Sequence, residues 1–255
     1  MKSSIVCETV SSVSGFLEKV KNNFSTESMV WYRGQPKIYD KLYPSIYRSN
    51  YTDELENALV FEFQAKAFPF LDKRPSTYFE WLFWMQHYGV PTRLADWTKD
   101  PLIALAFAVL YRDNDKHKDD EAVVYCLNPL KLNEKFCIKA KIDTNTIPNI
   151  ELTDVVEEYG ERSRGHIERP LAVYGALNNI RIIAQKGVFT IFPKNHDESL
   201  DEIDDCDKFL YVIKIDKDKV DEIGKDLEKM GIDHSTLYPS LESISIMIKK
   251  QHNIV

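Results

Sequence analysis

The chain has 255 residues, enough for one large domain or two small ones and for a sizeable buried core. Its 33 basic and 40 acidic residues give a formal net charge of −7, which disfavours general nucleic-acid binding because such binding needs a cationic surface. The most apolar segment, PLIALAFAVLY, reaches about half the length of a membrane-spanning helix. Neither nucleic acid nor a membrane is therefore an expected partner.

The cysteines and histidines give no metal-binding pattern. The four cysteines are far apart without a CxxC pair, and the six histidines form no HxH or HxxxH pair. We therefore expect no metal and no disulfide framework. Scattered thiols in an acidic chain, with an N-terminal segment that lacks signal-peptide features, predict a cytoplasmic protein.

The first half of the chain is predicted to be mainly helical. Apolar residues at helical spacing predict helices within residues 10–24, 52–68 and 76–88. Thr52 and Thr77 stand at N-cap positions of the second and third helices, and Thr77 has Glu three residues later, as in a capping box.

Two short extended segments accompany these helices. Residues 28–34 predict a strand that ends at Gly34, and residues 92–97 predict another. The helix that follows, at 101–111, has Asp100 as its N-cap and is apolar nearly all round, which predicts a buried helix.

The second half is richer in strands. Alternating or continuous apolar runs predict strands within residues 122–127, 169–175, 181–192 and 208–215. Residues 138–164 are predicted to be polar and irregular. Helices are predicted within residues 218–231 and 239–252.

These elements predict an α+β fold in a single domain, with an N-terminal helical part and a mixed or antiparallel sheet. Residues 1–28 are predicted to be an N-terminal helical segment, and residues 29–255 the core of the domain.

Polar side chains cluster between two strongly apolar segments. Gln86 and His87 lie in the last turn of a predicted buried helix, and Thr92, Arg93 and Asp96 flank the short strand that follows. A buried polar group without a partner costs about 1–3 kcal/mol, so these groups must pair with one another or line a wet cleft.

Both interpretations of this cluster are open. In the first it is a structural joint, in which Arg93 and Asp96 form an ion pair and Thr92 caps a turn. In the second it lines a ligand cleft beside the aromatic residues Tyr88 and Trp97. For the cluster as a whole we favour the cleft.

Two other segments add candidate site residues. In WYRGQ, Arg33 leaves an apolar strand, where it suits a phosphate or carboxylate, and Gly34 permits a close approach of backbone or ligand. In RIIAQKGVF, Gln185 lies between two apolar runs and offers an amide. The alternative for WYRGQ is a surface arginine before a turn glycine. The alternative for RIIAQKGVF is a simple bulge or hairpin turn.

Together these segments resemble the FRG-domain family. The resemblance is carried by WYRGQ at 31–35, PSIYR at 44–48, QHYGVPTRLADWT at 86–98, PLIALAFA at 101–108 and residues 181–189. Ala95 stands where the family more usually has Leu, which is a packing change. The family brings no settled activity with it.

A more distant similarity, to the ADP-ribosyltransferase fold, implies a chemistry. That layout has a strand with Arg, a strand with Ser or Thr that leads into an Ala- and Phe-bearing helix, and a strand with Glu. Arg33, Thr92 and Gln185 fall in that order and are the catalytic residues that the similarity implies, with NAD as substrate.

This chain departs from that pattern at its third position, since Gln185 carries no charge. An oxocarbenium-like centre needs an anion nearby. The candidates for the missing carboxylate are Glu62, Asp96 and Glu168.

The similarity also implies cofactor contacts. In that interpretation His87 and Thr92 contact the base or ribose, Asp96 orients Arg93, and Trp97 or Tyr88 stacks on the ligand. The cofactor-binding candidates are Tyr32, Gly34, Gln86, His87, Tyr88, Arg93, Asp96 and Trp97.

Two classes of function follow. The first is an enzyme that transfers ADP-ribose from NAD or hydrolyses NAD. The second is a module without chemistry that senses a nucleotide-type ligand or docks a protein target. Either is expected in a bacterial stress or antiphage setting.

Overall fold

The computed structural model describes residues 5–39, 41–48, 51–71, 74–110, 112, 117, 120–163, 169–175, 180–194, 198–252 and 254. Its strands form one seven-stranded sheet, in which a parallel pair at one edge joins otherwise antiparallel strands. The strands are β1 (Cys7–Val10), β2 (Trp31–Gln35), β3 (Leu94–Thr98), β4 (Val123–Leu127), β5 (Leu171–Val173), β6 (Gly187–Ile191) and β7 (Leu210–Ile215). Their order across the sheet is β1-β7-β4-β2-β3-β6-β5. The predicted α+β class is thus confirmed.

Helices cover this sheet. They are α1 (Val13–Asn23), α2 (Asp53–Ala67), α3 (Tyr78–His87), α4 (Pro101–Val109), α5 (Pro129–Ala140), α6 (Thr153–Tyr159), α7 (Ile180–Ala184), α8 (Val220–Lys229), α9 (His234–Leu237) and α10 (Leu241–Gln251). Short 3-10 turns lie at Ser45–Arg48, Phe68–Phe70, Cys206–Lys208 and Lys217–Lys219. Within the described ranges, no helix has the length and hydropathy to cross a membrane.

The predicted N-caps are confirmed. The side chains of Thr52, Thr77 and Asp100 each accept hydrogen bonds from backbone N–H groups of the first helical turn. They satisfy donors that a helix start leaves without partners. Glu80, however, accepts from Ser76 rather than from the backbone of Thr77, so the capping box is incomplete.

Two predictions for the second half are wrong. Residues 138–164 contain the end of α5 and the helix α6, where a polar surface concealed buried positions such as Val155 and Tyr159. The segment 181–192 is a strand only from Gly187 onward, because its first part forms α7.

The described part of the N-terminal segment joins the sheet and does not form a separate helical lobe. β1 pairs with β7 in parallel, from Cys7 opposite Val212 to Val10 opposite Ile215. The helix α1 then packs its Phe16 into the same core as the residues of α4 and α8. The N-terminal segment is therefore an edge of the one sheet.

The two faces of the sheet are covered differently. One face carries a single cluster that includes Trp31, Ala95 and Trp97. The other face carries two clusters, one under α1, α4 and α8 and one under α2, α3 and α5. Strand side chains alternate between faces, so Asp96 of β3 lies on the second face, where these two clusters meet.

Candidate ligand-binding cleft

A cleft opens on this second face between α3 and α4. It consists of two adjoining pockets, which enclose about 340 and 600 Å³ of non-atom space with the open solvent at their mouths included and which share Asp96, Arg181 and Gln185. We call the smaller the α3 compartment, which Phe83, Gln86, His87 and Phe189 complete. We call the larger the β2 compartment, which includes Tyr32, Arg33, Phe107 and Tyr238.

The sheet itself creates the β2 compartment. β2 and β3 are neighbours, yet their register contains only the pair Tyr32 and Thr98. Beyond that pair β2 follows β4 and β3 follows β6, so the two strands diverge. The guanidinium of Arg33 spans the divergence and donates from Nη1 to the backbone oxygen of Asp96 at 2.6 Å.

Arg33 is half-buried beside this gap. Burial lowers the pKa of its guanidinium, and the nearby charge of Asp96 opposes that effect. Arginine stays protonated in proteins, so Arg33 is a desolvated cation, and it is one of the residues that line the β2 compartment. Among the described residues, no carboxylate lies within ion-pair distance of it.

A chain of side-chain hydrogen bonds orients the carboxylate of Asp96. Gln86 donates from Nε2 to Oδ2 of Asp96 at 2.7 Å, and its Oε1 accepts from Thr92 Oγ1 at 3.1 Å. The amide of Gln86 is thereby fixed with its nitrogen toward the acid. Thr92 is 1% exposed and lines neither compartment, so it acts on the cleft through Gln86.

Gln185 lies at the junction of the two compartments. It follows α7 in the turn before β6, and its Nε2 donates to the backbone oxygen of Leu237 at 2.8 Å. Its own backbone oxygen accepts from Thr98 Oγ1 at 2.6 Å. The amide therefore belongs to a wall built from three separate parts of the chain.

His87 contributes an imidazole to the α3 compartment. Burial and the charge of Arg181 both lower its pKa from the ordinary 6.5. The ring is accordingly neutral at pH 7 and offers one donor and one acceptor.

Arg93 lies in the interior rather than in the cleft. Its Nε is 2.8 Å from both carboxylate oxygens of Glu56, Nη1 donates to the backbone oxygen of Phe192 and Nη2 to that of Tyr159. This geometry contradicts two predictions: that Arg93 contacts a cofactor, and that Arg93 forms an ion pair with Asp96. The reason is that a fully buried guanidinium must satisfy its donors internally.

The two aromatic candidates differ in position. Trp97 is among the residues that line the β2 compartment, but its ring packs in the core on the opposite face of the sheet, where its Nε1 donates to Thr190 Oγ1 at 3.0 Å. Tyr88 lines neither compartment; it is 61% exposed and stacks on Trp84 beside a separate apolar pocket.

Gly34 serves the fold as well as the cleft. A Cβ at this position would lie 1.8 Å from the backbone oxygen of Ala104, because α4 crosses β2 there at close range. The close approach that the sequence indicated is thus made by a helix. Tyr32, beside it, lines the β2 compartment, and burial raises the pKa of its phenol.

The three candidate carboxylates have different positions. Asp96 is the one that lines the cleft. Glu62 is exposed on α2 and pairs with Lys66, and Glu168 lies outside the described residues. Among the described residues, no group of three His, Cys, Asp or Glu side chains could hold a metal ion.

Seven residues that line the cleft were absent from the sequence-based candidates: Phe83, Thr98, Phe107, Arg181, Ile182, Phe189 and Tyr238. Arg181, Tyr238 and Phe107 line the β2 compartment, and Arg181 also lines the α3 compartment. The signal for Arg181 was its position in the segment that carries Gln185. Tyr238 had no signal, because nothing near residues 233–239 resembles the motifs of the first half.

Comparison with known proteins gives one match. A model of the FRG domain matches residues 28–118, which contain β2, β3, α3 and α4 and hence most of the two cleft walls. No curated protein and no solved structure matches the chain.

Proposed function

We propose that the cleft formed in part by residues 28–118, which match the FRG domain, binds a nucleotide-type ligand. The observation that carries this proposal is the pair Arg33 and Arg181. Both residues line the β2 compartment, and neither has a carboxylate within ion-pair distance among the described residues. Partly buried cations without a direct ion-pair partner favour an anionic ligand.

The walls around these cations suit the rest of a nucleotide. Phe83 and Phe189 offer apolar ring surfaces in the α3 compartment, and His87 and Gln86 offer donors and acceptors beside them. A planar heteroaromatic base needs both kinds of contact. The pattern of two cations with amides and aromatic rings supports a phosphate-bearing nucleoside better than a simple carboxylic acid.

As the finer proposal, the ligand is NAD and the protein is an ADP-ribosyltransferase or an NAD glycohydrolase. The bond between the nicotinamide nitrogen and the ribose carbon breaks, and its electron pair leaves with nicotinamide. Water or a target nucleophile then bonds to that carbon and loses a proton. In this proposal Asp96, held by Gln86, stabilises the positive charge on the sugar, a role that the neutral Gln185 does not fill.

Calorimetry with NAD, ADP and adenosine tests the binding proposal. We expect wild type to bind NAD and ADP, and Arg33→Ala to bind ADP at least about tenfold more weakly, which is about 1.4 kcal/mol. Lys66→Ala, which removes an exposed cation outside the cleft, is the matched control. A wild-type protein that binds none of the three compounds would contradict the proposal.

Asp96→Asn tests the chemistry separately from the binding. The amide keeps a similar shape but removes the charge, so NAD turnover should fall by at least about a hundredfold while ADP binding changes little. Purified wild type without NAD turnover, but with NAD binding, would favour the alternative of a module that senses a ligand or docks a protein target.

Gln185→Glu separates these two classes further. If the fold is an ADP-ribosyltransferase scaffold that lost its acid, this variant gains turnover. The substitution also has an energetic cost, because a carboxylate would face the backbone oxygen of Leu237 to which Gln185 now donates.

The bacterial stress or antiphage setting that we propose rests on the resemblance to the family.

A further inference from the structure

Tyr238 brings a distant part of the chain to the cleft. It follows the short helix α9, whose N-cap Asp233 forms a capping box with Thr236. It lies outside residues 28–118, which match the FRG domain, yet it lines the β2 compartment. Its ring packs edge-on against Phe107 of α4, with centroids 5.9 Å apart.

Arg181 lies against this tyrosine. Its guanidinium carbon is 4.2 Å from the centroid of the Tyr238 ring, and its Nη2 donates to the Tyr238 hydroxyl at 3.3 Å. A cation over an aromatic face is attracted by the ring quadrupole, more strongly where water is excluded. The residue before Tyr238, Leu237, accepts the hydrogen bond from Gln185. Leu237 and Tyr238 therefore hold the two residues at the junction in place, Arg181 of α7 and Gln185 in the turn after α7.

We propose that Tyr238 is a positioning residue, which holds Arg181 at the junction of the two compartments to bind the phosphates that link the two halves of a bipartite nucleotide. This inference rests on the proposed function of the cleft and names its ligand class, a nucleoside linked through phosphate to a second group. The C-terminal segment thereby completes a site that the FRG match contains only in part.

The position of Arg181 indicates the class of ligand. Arg181 lines both compartments, whereas Arg33 lines only the larger one. A ligand that occupies both compartments must pass the junction, where Arg181 is the cation and Asp96 the anion. A guanidinium binds phosphate oxygens in a bidentate way, and the ring below it keeps the plane of that group from turning. A linking phosphate is the part of the ligand that matches this place.

Binding of ADP, NAD and adenosine to the full chain tests the proposal, with four variants. Arg181→Gln should weaken ADP and NAD at least tenfold and leave adenosine within about twofold. Tyr238→Leu removes the ring and should weaken ADP and NAD by about three- to thirtyfold, the range of cation–π contacts. Tyr238→Phe keeps the ring and should restore wild-type binding within about twofold. Arg74→Gln, an exposed arginine whose guanidinium lies 5.7 Å from the ring of Phe68 outside the cleft, is the control.

Salt dependence distinguishes positioning from simple loss of structure. Arg181→Gln should reduce the slope of log Kd for ADP against log salt, because one cation is lost, while Tyr238→Leu should retain most of the slope. Equal weakening of adenosine and ADP by Tyr238→Leu, with no rescue by Tyr238→Phe, would show a merely structural role and overturn the proposal.

The failures of the two proposals are distinguishable. Wild type that binds none of the three compounds overturns the proposed function and this inference with it. Wild type that binds ADP, with Arg181→Gln binding equally well, overturns this inference alone.

Discussion

Arg93 and Glu56 form an ion pair in the interior of the protein. The Nε of Arg93 lies 2.8 Å from each carboxylate oxygen, and neither side chain has any exposed surface. Burial alone would lower the pKa of Arg93, but Glu56 and the surrounding tyrosines raise it above its ordinary value. The pair joins α2 to the start of β3 and so fixes the strand that carries Asp96.

Removal of one partner should therefore be costly. Glu56→Ala leaves a buried guanidinium without a counter-charge, and we expect the free energy of unfolding to fall by about 3–5 kcal/mol. Urea denaturation followed by circular dichroism measures it. Glu62→Ala, six positions along the same helix and paired only with exposed Lys66, should change it by less than about 1 kcal/mol. Similar small effects of both variants would contradict the structural role of the pair.

Gly34→Ala should force α4 away from β2. The added Cβ meets the backbone oxygen of Ala104 at 1.8 Å, and a backbone group cannot move aside as a flexible side chain can. We expect a loss of about 3 kcal/mol or more, the upper end of overpacking costs. Gly224→Ala is the control, because its Cβ would meet only side-chain methyl groups, of Leu110 at 3.3 Å and of Val109 at 4.0 Å. Equal melting temperatures of the two variants would refute this account of Gly34.

Thr92→Val tests whether Thr92 acts directly on a ligand. The Thr92 hydroxyl donates to Gln86 and accepts from the backbone N–H of Leu94, so the variant should lose about 1–3 kcal/mol of stability from two hydrogen bonds. Ligand affinity should fall by only a few-fold, in contrast to Arg33→Ala. A loss of binding as large as that of Arg33→Ala, at unchanged melting temperature, would restore Thr92 as a ligand contact.

Glu8 gives a pH dependence to the edge of the sheet. Hydrogen bonds from Lys19, Tyr211 and Asn23 lower the pKa of this carboxyl from 4.5 to about 2. A pKa that is depressed in the folded state contributes stability that is present above pH 4.5 and is lost as the pH falls toward 2. The contribution should stay below about 1 kcal/mol, since the group is partly exposed.

The variant Glu8→Gln isolates this effect. Its stability should match the wild type near pH 2 and fall below it above pH 4.5, as thermal melts at several pH values would show. A constant difference between the two proteins across that range would argue against the assignment to Glu8.

Local chemistry made much of the fold predictable. The helix starts at Thr52, Thr77 and Asp100 follow from side chains that cap neighbouring N–H groups, which needs no knowledge of the rest of the chain. The strands β4 and β7 follow from apolar runs between turn residues. The helix α7 was missed because a short apolar run has no period long enough to separate helix from strand.

The sequence by itself determined that a group of polar side chains, Gln86, Asp96 and their neighbours, must be held between two buried helices. The apolar pattern on each side leaves those groups no other place. The tertiary structure alone decided which of them face the cleft. Arg93, three positions from Asp96, turns inward to Glu56, while Arg181 and Tyr238 arrive from far along the chain. The pattern of apolar residues along the chain indicates which segments are buried. The partner of a buried side chain depends on which distant strands and helices pack beside it.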